Sequence, residues 1–135
     1  MDEKQRLIEA AKEAREHAHV VYSNFHVGAA LLTKRGQVYK GCNVENVSLR
    51  LTLCAEEVAV GNAVVNGDTD FVAVAVIADS KEPVMPCGAC RQLLAEFNPD
   101  MQVISATPDG RVETYSLGEL LPRAKQGIME HNHGS

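Results

Sequence analysis

Leu7, Ala10, Ala11, Ala14, Ala18 and Val21 recur at helical spacing, with Lys, Arg and Glu between them. This pattern predicts an amphipathic helix from Asp2 to about Val20. His26 to Thr33 (HVGAALLT) reads as a short strand, and KRGQ turns it into a second one at Val38 to Lys40. Gly41 to Arg50 is polar and irregular, a loop. Leu53 to Val65 is apolar nearly all round, which predicts a buried helix, ended by Asn66-Gly67-Asp68. Phe71 to Ala78 (FVAVAVIA) is continuously apolar, as expected of a central strand covered on both faces. After a loop at Lys81 to Pro86, Cys87 to Phe97 has helical character, with Leu93 and Leu94 as core candidates. Val103 to Thr107 and Arg111 to Tyr115 read as a hairpin around Pro108-Asp109-Gly110. Ser116 caps a short helix that Pro122 follows.

Helices and strands alternate, so the fold class is α/β. That class alone carries no function. At 135 residues the chain is long enough to bury a real core. Residues 1–126 are expected to form one domain, and 127–135, ending in HNHGS, a flexible C-terminal tail.

The formal net charge of -5 argues against a nucleic acid polymer as partner, since such binding rests on many Lys and Arg contacts. The opening MDEKQRLIEA lacks the apolar run of a signal peptide, and no stretch is long enough to span a membrane. A cytoplasmic protein with no membrane partner is expected. In that compartment disulfides are rare, so Cys42, Cys54, Cys87 and Cys90 are candidates for metal binding, redox chemistry or core packing.

The sequence MPCGACRQ, Met85 to Gln92, carries a Cys-x-x-Cys at a predicted helix start. Helix N-termini stabilise thiolates, and zinc half-sites and redox pairs share this feature. Cys54 tips the balance, because it also heads a predicted helix and is followed by Ala55 and Glu56. Three cysteines with one position open match catalytic rather than structural zinc, and a carboxylate two residues from a ligand can take a proton from an activated water. Cys42 could close the site as a fourth ligand, but that would leave a buried Glu56 without purpose. His17 and His19 on the first helix, and His131 and His133 in the tail, read as surface residues; His26 begins a strand and is open to either reading.

Cys54-Ala55-Glu56 followed by Pro86-Cys87-Gly88-Ala89-Cys90-Arg91-Gln92 resembles the small zinc-dependent cytidine deaminases. The resemblance runs along nearly the whole chain. It includes Tyr22-Ser23-Asn24-Phe25, Gly41-Cys42-Asn43-Val44-Glu45-Asn46, and Gly118-Glu119-Leu120-Leu121-Pro122. It implies a three-layer α/β/α fold with a central mixed sheet. It also implies one zinc ion per chain on Cys54, Cys87 and Cys90, with Glu56 as the proton shuttle in hydrolysis of cytidine or deoxycytidine to the uridine and ammonia. By the same resemblance Asn43 and Glu45 bond the ribose hydroxyls, Phe25 packs on the base, and the backbone near Ala55 reads its polar edge. A homotetramer with shared active sites acting on a small nucleoside is implied as well.

The chain departs from the family pattern where the pocket's walls are expected. Glu57 follows the catalytic glutamate where tetrameric members usually carry an Arg bonded to the thiolates. Arg91 and Arg50 are the candidates to replace that charge. Leu49 and Arg50 replace an interface tyrosine and glycine, and Lys125 stands in place of a C-terminal aromatic. Blasticidin S deaminase, a relative, also lacks the Arg. A modified aminopyrimidine nucleoside, or another amino-heterocycle, is therefore the alternative substrate. A zinc-bearing subunit without catalysis and a redox protein are the alternatives from other classes.

Overall fold

The computed structural model describes residues 2–125. The expected tail at 127–135, with His131 and His133, lies outside the described residues, as does residue 126. In chain order the elements are α1 (Glu3–Arg15), β1 (Val27–Thr33), β2 (Val38–Cys42), α2 (Ala55–Val65), β3 (Phe71–Ala78), α3 (Gly88–Phe97), β4 (Gln102–Ala106), β5 (Val112–Ser116) and α4 (Leu117–Leu120). A single 3-10 turn at Leu49–Leu51 interrupts the long loop before α2.

The five strands form one sheet in the order β2-β1-β3-β4-β5. β3 and β4 run parallel, joined by the α3 crossover, and the other neighbours are antiparallel. The sheet is therefore mixed, as expected. Period-two alternation sends successive side chains to opposite faces. Ala30, Leu32, Ala73, Ala75 and Ile77 meet Leu7, Ile8 and Ala11 of α1 on one face. Ala29, Leu31, Val74 and Val76 meet Ala59 and Ala63 of α2 and Leu94 of α3 on the other. Helix, sheet and helices make the three layers, and β3, covered on both faces, explains its unbroken apolar run.

Two boundaries differ from the expectation. The first helix ends at Arg15, not near Val20. The chain then turns, and the backbone of His19 takes a bridge instead. Its N–H donates to Asn43 O at 2.9 Å, and its carbonyl accepts from Glu45 N at 2.8 Å. His17 and His19 therefore lie beyond the helix, and Val21, in phase with it by sequence, is 67% exposed. Nor is α2 buried all round. Ala55, Glu56, Ala59, Val60 and Ala63 face inward, while Val65 is 82% exposed.

Gly41 sets how close α2 lies to the sheet. A Cβ at this position would stand 2.3 Å from Ala55 O and 2.4 Å from Ala59 N. Only glycine lets β2 lie against the backbone of that helix. α3 leaves the C-terminal end of β3, and α2 leads back to the start of β3, so both helices open at the same edge of the sheet.

Candidate active site

At that edge the two helix starts bring three sulfurs together. Cys54 is the N-cap of α2, Cys87 is the N-cap of α3, and Cys90 sits one turn further in. The three Sγ atoms lie within 4.8 Å of one another. Cys90 is buried, Cys54 half-buried and Cys87 exposed. Thiolates around a tetrahedral zinc ion at about 2.3 Å stand about 3.8 Å apart, so this triangle fits zinc with little closure. The soft donor set suits zinc too. Cys42, at the end of β2, is not part of the cluster, and burial raises its thiol pKa. A hydrogen bond with Cys90 lowers the pKa of Cys54, and the same bond, with burial, raises that of Cys90.

Glu56, in the first turn of α2, is 5% exposed. Burial raises its carboxyl pKa, and the neighbouring charge of Glu57 adds to the rise. A carboxyl raised in this way holds a proton more readily than an exposed one, as a group that both accepts and returns a proton must. It shares a cleft of about 280 Å³ with the three cysteines. The walls are Phe25, Val27, Asn43, Thr52, Leu53, Ala55, Val76, Val84 and Met85. Among the described residues, no Lys, Arg or His lines this cleft.

Of the four expected substrate contacts, Phe25, Asn43 and Ala55 line the cleft and Glu45 does not. Phe25 is 39% exposed. It follows Asn24, whose φ of 59° is a left-handed conformation that asparagine tolerates. Asn43 braces this segment, accepting from Val27 N at 3.0 Å and donating to Phe25 O at 2.9 Å. Glu45 accepts from Tyr22 N at 3.0 Å, from Ser23 N at 3.1 Å and from the Ser23 hydroxyl. The Ser23 hydroxyl bond leads in holding its carboxyl below the usual range, against the pull of burial. The polar loop at 43–45 therefore grips the segment carrying Phe25.

Sequence reasoning missed several parts of the site. Asp79, just past β3, accepts from both His26 N and His26 Nδ1 at 2.9 Å and from Arg15 at 3.2 Å. His26 thereby anchors the Phe25 segment and is no part of the sulfur cluster. Val84 and Met85 carry no chemical signal that could have placed them in the wall. Arg91 also differs from its expected role. Its Nε donates to Pro86 O at 2.7 Å and its Nη1 to Leu120 O at 2.9 Å, fixing the chain just before Cys87. Arg50 lies exposed in the 3-10 turn. Glu57 accepts from the N–H of Cys54 at 2.8 Å.

Residues 1–106 match the family model of the cytidine and deoxycytidylate deaminase zinc-binding region. The chain is 50% identical over 123 residues to a cytidine deaminase from Halalkalibacterium halodurans, covering 90% of this chain and 93% of that one. It is 33% identical over 128 residues to the blasticidin-S deaminase of Bacillus cereus, covering 87% and 91%. The crystal structure of a cytidine deaminase from Burkholderia pseudomallei superposes with a TM-score of 0.86 at 47% identity, covering 91% and 98%. With three cysteines, a buried glutamate and these likenesses across most of its length, the chain belongs to the cytidine and deoxycytidylate deaminase family.

Proposed function

We propose that the protein is a hydrolytic deaminase of free cytidine and deoxycytidine, yielding the uridine and ammonia. The observation that carries this is the buried Glu56 sharing one cleft with the triangle of Cys54, Cys87 and Cys90. One zinc ion held by the three sulfurs would supply Lewis acidity and activation of water at neutral pH. Glu56 takes the proton of the attacking water and delivers it to the ring nitrogen next to the aminated carbon. The carboxylate then takes the proton of the new carbon-bound hydroxyl, and as the carbon–nitrogen bond breaks it passes that proton to the departing amine. Water adds oxygen at the carbon and ammonia leaves, so the atoms balance. The raised carboxyl pKa suits both directions of transfer.

The walls support a nucleoside. Phe25 offers an aromatic face for the base, and the backbone near Ala55 offers polar groups for its edge. Asn43 lines the cleft beside Phe25 and is the nearer candidate for a ribose hydroxyl, while Glu45, outside the cleft and bonded to Tyr22 and Ser23, would reach the ribose only by giving up part of that grip. Among the described residues, the lining offers a 5′-phosphate no cationic partner, in keeping with a nucleoside.

Val21, Tyr22, Val47, Leu49 and Leu51 are exposed near the segments that build the cleft. Covering them in a homotetramer, with active sites shared between subunits, accounts for that apolar surface. Such an enzyme belongs to pyrimidine salvage. Its thiolates need a reducing compartment, in keeping with the cytoplasm. No helix among the described residues is long and apolar enough to cross a membrane.

A panel of cytidine, deoxycytidine, cytosine, the 5′-monophosphates and blasticidin S, scored for ammonia release, tests this reading. Turnover of the two nucleosides is expected. Release only from blasticidin S would favour the modified-nucleoside reading suggested by the 33% relative. No release from any member would refute catalysis.

A further inference from the structure

Glu57 is an acid next to a cluster of thiolates, where charge alone would disfavour it. Its carboxylate nonetheless has a partner of its own. Oε1 accepts from the backbone N–H of Cys54 at 2.8 Å. Cys54 is the N-cap of α2, with extended φ and ψ of -74° and 153°, and Glu57 is the third residue of the helix. A carboxylate at that position reaching back to the N-cap N–H is half of a capping box, and it also faces the positive end of the helix. The residue before Cys54 is held separately, since Leu53 and Val44 exchange two backbone hydrogen bonds of 2.8 and 3.0 Å. The bridge fixes where the chain enters the helix. The Glu57 bond fixes the peptide plane from which the Cys54 side chain departs.

We propose that Glu57 is a positioning residue of the metal centre, holding Cys54 in ligand geometry through the hydrogen bond to its backbone N–H. This rests on the reading of Cys54, Cys87 and Cys90 as the ligand set. Its role is opposite in sign to a purely electrostatic one. If Glu57 acted through charge, removing it would ease the crowding of negative charge and favour the thiolates. As a cap, its removal leaves the Cys54 amide without its acceptor and loosens one corner of the triangle. Outer groups that orient ligands typically contribute 10–100-fold to metal affinity.

The experiment compares the full-length chain with Glu57→Gln and Glu57→Ala. Zinc affinity is read by competition with a chromophoric chelator. Site geometry is read from the thiolate-to-metal charge-transfer bands of the Co²⁺-loaded proteins. Gln keeps the acceptor oxygen and removes the charge; Ala removes both. Expected is near-native affinity and spectrum for Gln, and affinity about 10–100-fold weaker for Ala with altered bands. Circular dichroism of each variant checks that α2 is retained. Equal affinity and spectra in Ala and the unaltered chain would overturn the proposal while leaving the ligand set intact. Gln and Ala shifting together would overturn it in favour of charge. Absence of metal from the unaltered chain would overturn the ligand set and the proposal together.

Discussion

Gly41→Ala tests how the fold holds the catalytic helix. The added methyl would lie 2.3 Å from Ala55 O and 2.4 Å from Ala59 N. Ordinary contact needs about 3.5 Å, so α2 and β2 must part by about 1 Å. Both contacts are backbone, which cannot rotate away as a side-chain tip would. Overpacking of this kind costs about 1–3 kcal/mol. At about 2.1 cal/mol/K per residue, unfolding of a 135-residue chain carries about 0.28 kcal/mol/K, so Tm falls by about 4–11 °C. The shift also moves Cys54 and Glu56 at the start of α2, and a displacement of about 1 Å can lower turnover about 10²-fold. Thermal unfolding and steady-state deamination of the same preparation measure both. Gly61→Ala is the control, because a methyl there meets nothing within 4 Å. It sits in the same helix and is expected to raise Tm by about 1–4 °C, from about 0.4–1 kcal/mol of reduced chain freedom. Gly41→Ala with unchanged Tm and turnover would refute the close-approach argument.

Other residues lead to equally definite outcomes. Glu56→Gln should keep its metal and lose about 10²–10⁴ in kcat, because the amide cannot shuttle a proton; unchanged turnover removes Glu56 from the reaction. Asp68 is gripped by Arg35 at 2.6 and 2.7 Å and by the Tyr39 hydroxyl, and the Arg35 bond leads in lowering its pKa. The lowered folded pKa means the stabilisation is full above the ordinary carboxylate value of about 3.9 and is lost as pH falls through the folded value. The Tm difference between the unaltered protein and Asp68→Asn should therefore be widest near pH 7 and close below about pH 4; a difference constant down to pH 3 contradicts this. Glu45→Ala should weaken use of cytidine far more than use of cytosine, which has no ribose hydroxyls. Equal losses would mean that Glu45 acts only by holding Tyr22 and Ser23.

The layers were legible because burial leaves a periodic trace. β3 is covered on both faces and reads as FVAVAVIA; α1 is covered on one and shows a stripe. What misled is where a tertiary contact overrides period. Ala18 and Val21 continue the α1 spacing, but the backbone of His19 pairs with the 43–45 segment and the helix stops at Arg15. α2 shows the converse. Its outward face carries Val64 and Val65 as well as Glu57 and Asn62, and its inward face carries Glu56, so no clean polar stripe marked Val65 as exposed. In the cleft, residues whose chemistry is rare stood out and residues that merely fill space did not. Val84 and Met85 enter the wall because the loop before Cys87 passes there, which only the folded chain reveals.

Glu56 and Glu57 show how adjacent identical residues acquire different work. Successive residues of an α-helix point about 100° apart. With Cys54 as N-cap, one position places a carboxyl into the sheltered cleft, where burial raises its pKa. The next turns its carboxylate outward and back, to the N–H of Cys54 at 2.8 Å. The inward acid is sheltered from solvent beside the cysteines; the outward one is exposed and free to accept the hydrogen bond at the helix start. Moving the helix start by one residue would exchange those environments. The three-residue spacing from Cys54 to Glu57 is thus a requirement of the cap, and the two-residue spacing to Glu56 a requirement of the cleft.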